Sequence, residues 1–357
     1  MCDTFATFGA GGALFAKNSD RPRDEAQVVR WHPARRGNAT TETQYLTIPD
    51  HGAHGMLLSQ PTWLWGAEHG VNEHGVAIGN ERLWAARTHD DDPALIGMDL
   101  VRLGLERGAT ADEACDVITD LLTRYGQGGS CDATANDPYD SSFLIADARG
   151  GWVVETFGAD WVAAPLDGHG AISNRYTLGS GWTRASPGVT AGFSTHDWHD
   201  ARVDTRLADH RLRATTTCAT QNRALDPTIA IATLRDHGTG PWGRPGHEAE
   251  AVPPPTELGD DLSGVTVCMH GRLISTTTAS MVARLHHDGR PPDTWICIGS
   301  PCVGEYVAVA LDAVPAELAD ESTWQATAAI RDEVELEPAS LAAIRSTIAP
   351  READTFR

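Results

Sequence analysis

Cys2 follows Met1 directly, and that position can give one residue two chemistries. Removal of Met1, which a residue as small as cysteine normally permits, leaves Cys2 with a thiol and a free α-amine on the same carbon. An α-amine titrates at about 7.7–8.0, so near neutral pH it can take the thiol proton, directly or through one water. Nucleophile and general base then share one residue, the cysteine form of an N-terminal threonine nucleophile. A cysteine at position 2 also arises by accident at a short exposed terminus, so its neighbours decide between the two readings.

A second candidate comes from composition. The chain has 28 Lys and Arg residues, and Lys17 is the only Lys. Where every other cation is Arg, a retained Lys points to a position that needs a compact ammonium and not a planar fork. The run Gly9-Ala10-Gly11-Gly12 marks a turn between short strands over 2–8 and 13–17. It is not a phosphate loop, because no Gly-Lys-Ser/Thr follows it. With a four-residue loop, position 8 faces 13 and 4 faces 17. Lys17 then shares a face with Thr4 and Cys2, since strand faces alternate with period two. Opposed and diagonal positions lie about 5–8 Å apart, which brings Lys17 or the following Asn18-Ser19-Asp20-Arg21 within reach of Cys2.

The elements that must position these residues follow in clusters. A strand is expected at Thr43–Ile48, and a turn over Asn72–Gly75 leads into a strand over 76–80. Helices are expected at about 95–107 and from Thr110, with Glu113 three residues on as a capping box, to about 124 with Gly126 as stop. Residues 127–140 form a loop, followed by strands at 142–146, 151–157 and 161–164. The stretch 196–213 is charged and helical. Asp226-Pro227 opens a helix that closes near Gly238. Residues 239–262 are an acidic, Pro/Gly-rich loop. Strands follow at 264–270, 275–284, 293–298 and 303–311, then a helix at about 337–346. Strands in runs with helices between the runs point to an α+β fold of antiparallel sheets rather than alternating βαβ units.

The formal charge of −21 and pI near 5.0 argue against a nucleic-acid partner, which needs a basic face. No apolar run approaches the ~20 residues of a membrane span, and no signal peptide is read at the start. The seven cysteines have irregular spacing and no CxxC, so neither a disulfide framework nor a metal site is expected, and a reducing, cytoplasmic setting fits. No cofactor is implied. The expected partner is a small-molecule or short-peptide substrate, and a homo-oligomer is compatible with the composition.

Several stretches, taken together and in order, resemble the secernin/dipeptidase A family, thiol N-terminal-nucleophile (Ntn) hydrolases of peptidase family C69. They are Cys2-Asp3-Thr4-Phe5, Phe15-Ala16-Lys17-Asn18-Ser19-Asp20-Arg21, Trp63-Leu64-Trp65-Gly66-Ala67-Glu68 and Asn72 through Glu81. Ile172-Ser173-Asn174-Arg175-Tyr176, Cys268-Met269-His270 and Thr277-Thr278-Ala279-Ser280-Met281 continue the match. The layout is more distantly similar to bile salt hydrolase and penicillin V acylase. The resemblance implies an αββα sandwich, two antiparallel sheets between helical layers, over 2–312, with 313–357 a C-terminal helical extension on the same domain. It implies that Cys2 attacks an amide carbonyl to form a thioester and that Asp20 orients the amine. Asn80 and Asn174 would supply oxyanion donors, one by backbone N–H and one by side-chain amide. Lys17 falls where the bile salt hydrolase branch has Arg. Trp65, Glu68 and His270 are the candidates for contacting substrate. The implied activity is hydrolysis of a dipeptide or acylated amino compound. An acyltransferase using the same thioester and a non-catalytic binding protein are the rivals.

Overall fold

The computed structural model describes residues 1–88, 92–238, 264–271 and 275–356. The loop expected over 239–262 lies outside them. Among the described residues one sheet has seven strands. Its hydrogen-bonded order is His169–Ile172, Cys2–Gly9, Gly12–Arg21, Ser275–His286, Asp293–Ile298 and Val307–Val309, with His270–Gly271 added along Ser275–His286. A second has eight, in the order Arg184–Ala185, Asp160–Pro165, Gly151–Phe157, Asp140–Ala146, Ala77–Leu83, His69–Asn72, Met56–Pro61 and Gln27–His32. A separate pair joins Thr40–Glu42 to Thr47–Pro49.

The strand sequences explain why both faces of the sheets are covered. In the opening hairpin, Ala6 and Phe15 belong to an apolar cluster that also holds Val29, Leu57, Leu144 and Val153 of the second sheet. Their neighbours Phe5 and Leu14 point the other way, into a cluster with Ala219, Ala230, Ile231 and Leu234. Those four residues come from helices α3 (Arg206–Gln221) and α4 (Pro227–Leu234). The other face of the second sheet offers Ile78, Phe143 and Val154 to Leu100, Leu103, Ile118 and Leu122 of α1 (Gly97–Arg107) and α2 (Ala111–Tyr125). Successive side chains alternate faces, so strands apolar at every position must be sandwiched. The architecture is mixed, with antiparallel sheets flanked by helices.

The hairpin has the anticipated register. Thr4 opposes Lys17 and Phe8 opposes Ala13. The turn is tighter than four residues, because Gly9 and Gly12 also pair. Gly12 has φ 136°, and a Cβ there would come within 1.8 Å of the Leu285 carbonyl oxygen. The neighbouring strand Ser275–His286 therefore fixes that turn as firmly as the turn residues do.

Elsewhere the ends of elements shift. Thr43–Ile48 is not one strand: Thr43 N–H bonds back to the Leu46 carbonyl, and the strands lie on either side. Thr110 caps α2 by accepting from Glu113 N–H at 3.2 Å, but the Glu113 carboxylate takes the Ala109 N–H instead of completing the reciprocal box. Asp226 caps α4 as its Asp-Pro signal indicates. The strand expected over 264–270 shortens to His270–Gly271, because Cys268 N–H goes to the Asp236 carbonyl and His270 N–H to Gly264. Within 313–357, expected to be helical, lie α5 (Glu321–Leu336), whose bounds were not anticipated, and α6 (Leu341–Thr355). Trp324 of α5 is buried and donates its indole N–H to the Thr278 carbonyl at 2.9 Å.

Candidate active site

Cys2 opens its strand with both neighbours, Met1 and Asp3, buried. Its backbone N–H donates to Asn174 Oδ1 at 2.9 Å. Its Sγ accepts the Asp20 N–H at 3.3 Å and lies 3.7 Å from Glu68 Oε2. Strand pairing explains the first neighbours: Cys2 opposes Ser19, one residue before Asp20. Asn174 lies two residues beyond the strand His169–Ile172, which pairs on the other side of Cys2–Gly9. One flanking strand thus supplies each side of the site.

Asp20 is held by a second strand of the same sheet. Its Oδ1 accepts from Thr277 Oγ1 at 2.7 Å, and its Oδ2 lies 3.9 Å from Arg211 Nη1. Burial pushes its carboxyl up to about 7, aided by the Asp3 charge and opposed by the N-terminal ammonium and Arg211. Burial also pushes the Cys2 thiol up to about 12, with Lys17 pulling it down and Glu68 pushing it further up. With Met1 attached, Cys2 nitrogen is an amide and the thiol is neutral. The Met1 ammonium donates to the Asp20 carbonyl at 2.9 Å and to Ser275 Oγ at 3.4 Å, and burial lowers its pKa. The Met1 side chain packs with Val203, Leu207, Val265 and Met269.

Lys17 is completely buried and bridges the two sheets. Its Nζ donates to the Asn80 carbonyl at 2.6 Å and to Glu81 Oε1 at 3.2 Å. Glu81 also accepts from Thr4 Oγ1, the residue opposite Lys17. Burial alone would lower the Lys17 pKa, but the Cys2 sulfur in its thiolate form, Glu81 and Glu68 hold it above its ordinary value. Its stem runs past Gly79, where a Cβ would approach Lys17 Cδ to 2.6 Å. A side chain at position 79 would close on that stem, so the glycine keeps the path of Lys17 open.

The two asparagines are brought to the same region with their groups engaged. Asn80 N–H donates to the Glu68 carbonyl at 3.3 Å. Asn174 Nδ2 donates to the Arg82 carbonyl at 3.0 Å, leaving its Oδ1 to receive Cys2. Glu68 lines a cavity of about 100 Å³ beside Cys2, with Met1, Asp20, Arg21, Arg82, Cys131, Asp137 and Tyr139 among its other walls. Trp65 and His270 do not line it. Trp65 lies under the Arg102 guanidinium, 4.1 Å from the ring centre, against the apolar cluster of α1 and α2. His270 points to Cys268, Cys302 and Glu335.

Arg211 is the residue sequence reasoning missed. It is fully buried. One guanidinium nitrogen donates to the Cys2 carbonyl at 3.2 Å and to Asp3 Oδ2 at 2.7 Å, and the other to Asn174 Oδ1 at 2.8 Å. A signal existed: Leu207, Arg211 and Thr215 recur at helical spacing and are all buried, so Arg211 is a cation on the inward stripe of α3.

No protein-family model matches the chain. Solved structures do share its fold. A mutant conjugated bile acid hydrolase from Clostridium perfringens superimposes with a TM-score of 0.50 at 9% identity, covering 88% of this chain and 95% of that one. Penicillin V acylase from Agrobacterium tumefaciens gives 0.49 at 14% identity, with 90% and 89% covered. The Caenorhabditis elegans ortholog of N-acylethanolamine-hydrolyzing acid amidase gives 0.41 at 12%, with 79% and 92% covered. The chain shares the overall fold of the first of these, the conjugated bile acid hydrolase. Among the described residues no helix is long and apolar enough to cross a membrane.

Proposed function

We propose that the chain is a cysteine-dependent Ntn amidohydrolase with the αββα layering of that class, activated by removal of Met1. The observation that carries this reading is the setting of Cys2. Its nitrogen rests on Asn174 Oδ1, its sulfur receives the Asp20 N–H, and Arg211 ties both Asn174 and the Cys2 carbonyl in place. Once Met1 leaves, that nitrogen is an amine held beside the thiol. It takes the thiol proton, the thiolate attacks an amide carbonyl, and the amine passes the proton to the leaving nitrogen. Water then attacks the thioester with the same amine as base. Asp20 and Asn174 orient the amine, and Lys17 favours the thiolate. Asn80 N–H and Asn174 Nδ2 would serve the oxyanion after exchanging the carbonyls they hold now.

Departure of Met1 also vacates the space between Val203, Leu207, Val265 and Met269. The cavity beside Cys2 has Met1, Arg21, Arg82 and Glu68 among its walls. Apolar space next to charged groups suits a dipeptide or an acylated amino compound, in keeping with the secernin/dipeptidase A resemblance and with a domain over 2–312 extended by the C-terminal helices. A fold shared with a conjugated bile acid hydrolase is in keeping with that reading. The test uses two matched chains released from a cleavable leader, one beginning at Cys2 and one at Met1. The Cys2 chain should hydrolyse members of a dipeptide and N-acyl amino acid panel, and the Met1 chain should not. Equal activity in both would sink the α-amine mechanism. Transfer to an added amine in preference to water would make the protein an acyltransferase.

A further inference from the structure

We propose that His237, Cys268, His270 and Cys302 form a closed, four-coordinate structural metal site, with Zn²⁺ as the best-fitting ion. All four side chains are buried, and their ligand atoms lie within 4.8 Å of one another. The inference does not depend on the chemistry of Cys2.

Distances support it. Tetrahedral zinc with Zn–S of about 2.3 Å and Zn–N of about 2.0–2.1 Å has S···N edges of about 3.5 Å. His270 Nε2 lies 3.5 Å from Cys268 Sγ and 3.3 Å from Cys302 Sγ. Ordinary hydrogen bonding accounts poorly for that pair, since Nε2 has one lone pair or one hydrogen and two sulfurs converge on it. A cation at the centre is shared by all the ligands at once. Two thiolates and two neutral imidazoles around a divalent ion give a core with no net charge, which a buried position tolerates. The mixed sulfur and nitrogen set, in this shape, selects zinc over harder ions.

The outer contacts are those of an oriented ligand. His270 Nδ1 lies 3.1 Å from Glu335 Oε1, so a carboxylate on α5 fixes the ring with Nε2 turned inward. Glu335 in turn accepts from Arg23 at 3.1 Å. Val303, Val334, Leu341 and Ile344 pack around Cys268 and Cys302. With no open face, the site reads as structural rather than catalytic. It pins four distant parts together: the segment after α4, the short edge strand, the turn after Asp293–Ile298, and α5 through Glu335. It also borders the Cys2 region. Met269, between two of the ligands, donates its N–H to Thr277 Oγ1 at 2.8 Å, and that hydroxyl donates to Asp20.

The experiment is metal analysis of the full chain, purified with thiol reductant and without chelator. Plasma mass spectrometry should find about one zinc per chain. Cys302→Ala and His237→Ala should each bring it below about 0.2, while Cys115→Ala keeps the full amount. Chelation by pyridine-2,6-dicarboxylate should lower the Tm, and added Zn²⁺ should restore it. Co²⁺ in its place should give visible d–d bands with sulfur-to-cobalt charge transfer. The proposal is overturned if reduced, metal-free chain takes up neither Zn²⁺ nor Co²⁺. It is equally overturned if Cys302→Ala protein binds as much zinc as the parent.

Discussion

Cys2 and Cys302 are both buried thiols, 4% and 2% exposed, and each has charged or titratable neighbours. Their surroundings nevertheless ask for opposite chemistry. Around Cys2 the partners are oxygens and cations aimed at different atoms: Asn174 at the nitrogen, Arg211 at the carbonyl, Asp20 and Glu68 near the sulfur. A cavity adjoins the thiol, with Met1 among its walls. Around Cys302 the partners are a second thiol and two imidazoles aimed at one point, with apolar residues outside them. Burial alone makes a cysteine inert, and the direction in which its neighbours point decides whether it becomes a nucleophile or a ligand.

The largest test of that contrast is to delete the nucleophile. Cys2→Ala, in a chain freed of Met1, should lose ~10⁴-fold or more in kcat with its zinc content unchanged. Cys115→Ala, in the core under α2, should leave kcat within about twofold. Activity surviving in Cys2→Ala protein would move the chemistry elsewhere.

Next come the residues that hold Cys2. Asn174→Ala should lower kcat by ~10²–10³. Arg211→Lys keeps the charge beside Asp3 but cannot reach Cys2, Asp3 and Asn174 together, so it should also depress kcat, with a Tm close to the parent. A large fall in Tm with near-normal kcat would make both residues scaffolding.

A smaller effect is expected at Lys17. Its ammonium favours the Cys2 thiolate, so Lys17→Met should move the pH profile of Cys2 alkylation to higher pH and lower activity near pH 7 by about tenfold, one pKa unit. Lys17→Arg should also lose activity, because a planar fork replaces the compact ammonium that bridges the Asn80 carbonyl and Glu81. Superimposable profiles for all three proteins would show that Lys17 serves only to join the sheets.

The smallest effect is on stability. In the Met1-bearing chain, Asp20 is pushed up to about 7 by burial. The folded chain keeps a proton there that the unfolded chain releases near pH 4, so this contribution is full below about pH 4 and lost as pH rises through about 7. Asp20→Asn should flatten that slope, by about 5–6 °C in Tm across the window, measured by calorimetry at a series of pH values. An unchanged slope would place the titration elsewhere.

The sequence was most legible where contacts are local or follow a strict period. The opening hairpin could be read because Gly9 through Gly12 set the turn and alternation put Lys17 opposite Thr4. The caps of α2 and α4 were visible as Thr110 and Asp226. The bounds of α5 were not read although Trp324, Ala328, Arg331 and Val334 recur at helical spacing, because that buried stripe is narrow and includes a cation. Arg211 was hidden among many other arginines, and what distinguishes it is the inward face of α3. The cluster at Cys302 was invisible for another reason. Cys268 and His270 are 2 residues apart, but Cys302 lies 32 residues beyond His270 and no local spacing joins it or His237 to that pair. The segment after α4, the short strand His270–Gly271 and the turn after Asp293–Ile298 bring them together, and only tertiary structure records that. The absence of a CxxC run excluded a local metal motif but not an assembled one.

The central claim, that Cys2 forms a thioester once Met1 is gone, is tested most directly by mapping the covalent intermediate. The chain beginning at Cys2 is mixed with an N-acyl amino acid or dipeptide that it turns over, quenched in acid and analysed by peptide mass spectrometry. The acyl mass should appear on the peptide starting at Cys2, disappear on treatment with hydroxylamine, and be absent after prior alkylation with iodoacetamide. Turnover continuing at full rate after complete alkylation of Cys2, or an acyl group found on any other residue, would contradict the account.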